Sequence, residues 1–283
     1  MKNALLLVLV MMLSACQPAV LTSTFTPTSI PKEPTKVLSP TPVITNTSTP
    51  AFVAQQPSPT PKSLTICSPL EDETFETLPL ILVNPLDIPG FGQDTGHHGV
   101  DFAYFQRGER ESIQGIEIYA ILSGKIVTTL AEGIPYGYAI LIETPLKELH
   151  EEIQNEFLDA YLPVPEDPNY RLACPPVTPP PMTGEYSIYH LYAHMESPAS
   201  FNPGDQVTCG TTLGTVGNSG YSSNPHLHLE TRLGPSGAIF TSMAHYENTC
   251  TVEEMANYCL WRMSGFYQLF DPFLLFDYQQ NQP

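Results

Sequence analysis

Apolar and polar positions divide the chain into three stretches of different rhythm. Residues 4–12 are a short unbroken apolar run behind Lys2, and residues 17–62 are dominated by Pro, Thr and Ser with almost no aromatic side chains. From residue 67 onward, short β-type runs alternate with turns. Residues 116–120 and 124–128 read as a hairpin about Ser123-Gly124, and residues 138–143 and 187–194 alternate with the strand period of two. Residues 207–216 read as a further turn-linked strand pair. Strands this frequent predict a mainly β fold with an antiparallel core.

Two stretches interrupt the strand rhythm. Leu146, Leu149, Ile153, Phe157 and Tyr161 recur at helical spacing after Thr144-Pro145, which could cap a helix, and Pro163 stops the pattern. A second helix is expected over residues 252–258, between Cys250 and Cys259. Both stretches read as partly helical insertions into the β core, about 145–183 and 233–270. Placed beside strands that carry histidines, they are expected to wall a substrate groove.

The ends of the chain add compartment. Lys2, the apolar run and Ala15 compose an export signal over residues 1–16, too short to span a bilayer. Residues 13–16, Leu-Ser-Ala-Cys, resemble a bacterial lipobox, which makes Cys16 the expected lipidation site and the mature protein a membrane-anchored lipoprotein facing the cell wall. An ordinary signal peptide with a nearby cysteine is the alternative. Residues 17–62 cannot bury enough apolar surface to offset chain entropy and read as a disordered tether, leaving residues 63–283 for one domain. The net charge of −18 argues against nucleic acid as a partner, since that binding is driven by cationic side chains. Besides Cys16, an exported chain could pair Cys67, Cys174, Cys209, Cys250 and Cys259 as two bridges and one thiol, in a pattern the spacing leaves open.

Candidate chemistry lies in the histidines. His226 and His228 are two apart in a β-type run, so they face one side about 6.6–6.8 Å apart. By itself this pair is a weak signal. His97 and Asp101 flank Gly99 in a second cluster, where glycine would give the backbone freedom to bend. His97, Asp101 and His228 compose a two-histidine, one-carboxylate set, and three protein ligands leave the open position of a catalytic metal site.

These clusters, with Tyr192-Ala193-His194, resemble the lysostaphin/LytM-type zinc endopeptidases of bacterial cell walls. That family carries H-x-G-x-D, Y-x-H and a glycine-rich run ending in H-L-H-[FL]-E, matched here at residues 97–101, 192–194 and 214–230. Asn224 stands where the family has glycine, as the residue best able to replace it in a left-handed conformation. Residues 271–274 look like the family's closing strand. The resemblance implies one Zn²⁺ per chain held by His97, Asp101 and His228, with His194 and His226 flanking a metal-bound water. One of the two would act as general base, and which one is left open. It further implies hydrolysis of amide bonds in peptidoglycan cross-link peptides. The other functional class is a non-catalytic relative that binds the wall and activates other hydrolases, and such relatives typically lose part of the constellation.

Other groups are expected to be bystanders. His98 should point outward and be exposed. His190 should share the face of His194 but lie about 13 Å from it, too far to ligate. His150 begins a near miss of a zinc-binding helix and reads as a surface residue, and His245 as structural. Glu230 is expected to be either a second-layer support of His228 or a strand terminus, the latter favoured. The remaining acidic residues should be solvated.

Overall fold

A computed structural model describes residues 64–164 and 174–282. The export signal, the tether and Cys16 lie outside the described residues, as does part of the first helical stretch. Seven strands run in the order β1 (Leu82–Asn84), β2 (Val100–Phe102), β9 (Leu227–Pro235), β6 (Tyr186–Ala193), β5 (Ala139–Pro145), β4 (Gly124–Leu130), β7 (Gln206–Val207). All neighbours are antiparallel, and β10 (Gln268–Leu269) adds to the far end of β9. A two-stranded sheet pairs β3 (Glu117–Tyr119) with β8 (Thr212–Thr215). The mainly antiparallel β fold is thus as expected.

The central strands are buried on both faces, because each face has its own cover. Ile140, Ile142, Ile188, Tyr192, Leu227 and Leu229 join one apolar cluster, which also takes in Ile118 and Leu213 of the small sheet. Ala139, Leu141, Tyr189, Leu191 and Ala193 join a second cluster, closed by Phe240, Tyr258, Trp261 and Tyr267. The alternation of β5 and β6 therefore sorts two apolar faces, a pattern expected where a sheet is covered on both sides.

Both apparent hairpins are crossovers between the two sheets. β3 pairs with β8 and β4 with β5 and β7, so residues 116–128 and 206–216 each leave one sheet for the other. The linking residues Ala120, Ile121 and Leu122 are wholly buried, and this core path replaces the expected turn.

Helices also depart from the expected bounds. Pro145 is still paired with Ser187, so Thr144 lies in β5 and caps nothing. A 3₁₀ turn at Leu146–Glu148 precedes α1 (Glu151–Ala160), and together they bury the predicted apolar stripe at Leu146, Leu149, Ile153 and Phe157. α2 (Val252–Arg262) opens with a capping box between Thr251 and Glu254 and runs past the expected end at Tyr258. In place of a closing strand at residues 271–274, Pro272 takes a helical conformation and starts α3 (Phe273–Gln280), which buries Leu275 and Phe276. Disulfides join Cys67 to Cys209 and Cys174 to Cys259, leaving Cys250 as a thiol.

His190 lies on the face of Ile188 and Tyr192, away from the other histidines, fully buried between the hydroxyls of Thr144 (3.1 Å) and Tyr192 (2.9 Å). Burial pulls its pKa from 6.5 down to about 3, so the unfolded chain takes up the proton first. Stability from this site is complete above pH 6.5 and falls below it, by about 1.4 kcal/mol per pH unit. His190→Gln keeps polar contact without titrating. Denaturant melts are expected to show a shallower loss of stability between pH 6.5 and 4 in that variant. An unchanged slope would remove His190 as a source of acid lability.

Candidate metal centre

The site is built where β2 meets the start of β9. Asp101 pairs with His228 across these strands, and side chains of directly opposed residues share a face. His97 lies ahead of β2, its backbone bonded both ways to Asp87 (2.8 and 3.1 Å). Glycine at position 99 serves close approach: a Cβ there would come within 2.8 Å of the His228 ring and 2.6 Å of the Leu229 carbonyl oxygen. Space, more than backbone freedom, requires it. Asn224 is not among the described residues with positive φ, so its replacement of glycine needs no left-handed conformation.

Three donor atoms converge. His97 Nε2 lies 3.1 Å from Asp101 Oδ1, His228 Nδ1 lies 2.9 Å from the same oxygen, and the two nitrogens are 3.2 Å apart. Tetrahedral zinc with bonds of about 2.0–2.1 Å sets its ligand atoms about 3.3 Å apart, so the donor set fits zinc in both type and spacing. The far side of each ligand is also held. His97 Nδ1 donates to the Pro85 carbonyl (2.9 Å), leaving the Nε2 lone pair inward. Asn84 donates to Asp101 Oδ2 (3.1 Å). His228 Nε2 faces Glu230 Oε2 at 3.6 Å, a charge contact beyond hydrogen-bond range. Such outer partners orient metal ligands and raise their basicity.

Charge at the site follows these contacts. Burial alone would raise the Asp101 carboxyl, but the adjacent His228 and His97 imidazoles hold it well below the usual range. Burial disfavours the charged form of His228, yet Asp101 and Glu230 lift its pKa to about 9. Metal binding at neutral pH therefore displaces a proton.

His194 and His226 stand beside the three ligands. Strict alternation along β6 would send His194 to the opposite face. A left-handed backbone at φ 61° turns it instead, bringing its ring 4.6 Å from that of His226 and 5.8 Å from that of His228. Such a conformation costs a non-glycine residue about 1–2 kcal/mol. Its neighbours hold it: His194 N–H donates to the Tyr136 carbonyl and its own carbonyl accepts from Gly217. His194 Nδ1 donates to the Ser219 carbonyl (2.8 Å) and His226 Nδ1 to that of Asn224 (2.8 Å), so both Nε2 lone pairs are free to accept. Burial, with His228 and His226 nearby, lowers His194 to about 3 and keeps it neutral. His226 Nε2 is 3.5 Å from Asp101 Oδ1. All five expected residues line one cleft of about 640 Å³.

Several bystanders prove to be supports. His98 is buried, not exposed: its Nδ1 accepts from Arg232 (2.9 Å), and its Nε2 faces Asp94 at 3.7 Å. Burial and the Arg262 and Arg232 charges push its pKa down to about 2. Glu230 is wholly buried beneath His228, accepting from Tyr136 (2.9 Å) and Arg232 (2.6 Å), so it is a support rather than a strand terminus. Asp94 pairs with Arg262 (2.7 Å) and accepts from Tyr258 (2.6 Å) and Tyr246. Glu143 is buried with Ser187, Tyr189 and Lys125, and Glu73 pairs with Arg107, so these acids are not solvated. His150 is exposed at the start of α1. His245 packs on Tyr258, ring centroids 5.1 Å apart. Of the two helical segments, the second contributes Arg262 to the cleft. Among the described residues the first contributes nothing there, since Phe157 packs on Phe270 and Tyr161 on Tyr186 instead.

Comparison with known proteins places the segment that carries these histidines. Residues 182–238 match the model of Peptidase family M23, so the likeness to lysostaphin/LytM-type peptidases is a family match over β6 and β9, including His194, His226 and His228. His97 and Asp101 lie outside the matched segment. Similar solved structures include the catalytic domain of the antimicrobial peptidase lysostaphin from Staphylococcus simulans, at 19% identity over 73% of this chain and 99% of that one (TM-score 0.34). A zinc containing peptidase from Vibrio cholerae is 15% identical over 60% of this chain and 36% of that one (TM-score 0.33). The catalytic domain of the prophage-encoded M23 protein EnpA from Enterococcus faecalis is 19% identical over 62% and 84% (TM-score 0.30). This chain thus spans about a third of the Vibrio cholerae protein. No curated protein matches it in sequence.

Proposed function

We propose that this protein is a zinc metallo-endopeptidase that hydrolyses amide bonds in peptidoglycan cross-link peptides, with His97, Asp101 and His228 as the metal ligands. The reading rests above all on one observation: three donor atoms 2.9–3.2 Å apart lie beside two imidazoles whose Nε2 lone pairs are unengaged by a carbonyl. Zinc in such a site supplies Lewis-acid polarisation of the scissile carbonyl and acidifies water. The imidazoles do the proton work. One of His194 and His226 takes the proton of the attacking water at Nε2 and returns it to the leaving amine, while the other, carrying protons on both ring nitrogens, donates from Nε2 to the developing oxyanion. Asn84, Pro85 and Glu230 keep the ligands aimed.

Export through residues 1–16, lipidation at Cys16 and a tether over 17–62 would hold the domain at a membrane facing the wall. An anchor carrying more than one acyl chain is the kind that holds stably. The test is purified protein on isolated sacculi, with metal content measured alongside. About one zinc per chain and released peptide fragments are expected, and Asp101→Ala should lose both. Full zinc occupancy in Asp101→Ala would remove the ligand assignment, and wild-type zinc protein that releases no fragments would remove the peptidase reading.

A further inference from the structure

Two arginines are buried beside the site, and they differ in how their donors are used. Arg232 is fully engaged. Its Nε donates to Glu230 (2.6 Å), Nη1 to the Tyr267 carbonyl (2.8 Å) and Nη2 to His98 (2.9 Å), while the guanidinium lies 4.8 Å from the Trp261 ring. It is an internal counter-ion, with each of its three nitrogens already holding a partner.

Arg262, in the last turn of α2, is the contrasting case. Its side chain is 11% exposed, and it forms part of the cleft wall with the histidines and Asp101. Among the described residues its carboxylate partner is Asp94, reached through Nε at 2.7 Å. Tyr136 and Tyr258 both approach the guanidinium, their ring centroids 6.0 and 5.3 Å from it. Among the described residues no hydrogen bond engages its outer nitrogens, and a planar fork so placed in a cleft wall suits bidentate recognition of a carboxylate. In a chain of 29 acidic and 11 basic residues, a cation at this place is a local exception. Tyr136 neighbours both Arg262 and the metal site, its ring centroid 6.3 Å from that of His228, and all three line the same cleft. A carboxylate on Arg262 would thus belong to a residue flanking the scissile bond.

We infer that Arg262 is a specificity-determining residue that binds a carboxylate of the peptide substrate next to the bond to be cut. This deepens the peptidase reading and rests on it. The carboxylate could be a side-chain acid or a chain terminus, and the fork reads either.

The test uses one synthetic stem-peptide dimer in three forms: side-chain acids free with termini amidated, termini free with side chains amidated, and all amidated. Cleavage rates and calorimetric binding are measured for zinc-loaded wild type, Arg262→Gln and Arg262→Lys. Wild type is expected to favour at least one acid form over the neutral one by about tenfold or more, as a charge-assisted bidentate pair would give. The favoured form identifies the source of the carboxylate. In Arg262→Gln the ratio should fall to about one, and Arg262→Lys, with charge but no fork, should keep only part of it. Wild type that treats all three forms alike overturns the inference without recourse to any variant, as does undiminished preference in Arg262→Gln. Binding that follows Arg262 with no cleavage of any form would sink the peptidase reading and leave carboxylate recognition standing.

Discussion

Replacing His226 by alanine is expected to leave zinc in place and to lower kcat/KM for peptide cleavage by about 10²–10³-fold. The expectation follows from geometry. His226 sits just ahead of β9, with Nδ1 tied to the Asn224 carbonyl and Nε2 aimed into the cleft, 3.5 Å from Asp101 Oδ1. The three converging donors belong to His97, Asp101 and His228, and none of their contacts to one another passes through His226. His194→Ala should behave alike, since Ser219 and His226 surround its ring without joining it to the ligand set. The double variant should be little worse than either single one, because groups that share one proton transfer are not additive. Zinc content by mass spectrometry and cleavage of a cross-link peptide read the two effects separately. Loss of zinc in His226→Ala would make His226 a ligand. A wild type that cuts nothing alone, but stimulates a second hydrolase equally well with or without His226, would mark an activator of the same fold.

The site was more legible in the sequence than the architecture around it. Motif spacing, with the lysostaphin/LytM-type resemblance, brought together residues that the fold places in one cleft, although the strand period alone would have turned His194 away. The hairpin at residues 116–128 and the strand pair at 207–216 failed for a non-local reason: each strand finds its partner in another part of the chain, and the link crosses from one sheet to the other, through the core in the first case and by an exposed turn in the second. His98 and Glu230 were misjudged in a related way. A charged or polar residue reads as surface until its partners are known, and Asp94, Arg232 and Arg262 approach from residues 94–98, β9 and α2. One signal was available. His228, Glu230 and Arg232 stand at i, i+2 and i+4 of a strand, so the face that carries the metal ligand also carries a carboxylate and a guanidinium.

That face carries the second large effect. Glu230→Ala is expected to destabilise the domain by about 3–5 kcal/mol, the usual cost of removing one partner from a buried ion pair. Glu230 is wholly buried, and Arg232 lies 2.5 Å from its Oε1. Without the carboxylate, Arg232 loses its counter-charge, Tyr136 its acceptor and His228 the negative group behind its Nε2. Burial alone would raise the Glu230 carboxyl, but Arg232, His228 and Arg262 hold it far below its ordinary 4.5. Its contribution is therefore complete above that ordinary value and lost as pH falls through the depressed one, because the unfolded chain binds the proton first. Zinc affinity should also drop, by about 10–100-fold, as it does when the outer partner of a ligating histidine is removed. Glu230→Gln keeps the shape without the charge and should fall between wild type and alanine. Denaturant unfolding of the metal-free protein isolates the stability loss, and competition with a chelator reads zinc affinity. If Glu230→Ala unfolds like wild type and holds zinc as tightly, the network behind His228 is packing alone, and the ligand must be oriented by Asp101 and the strand itself.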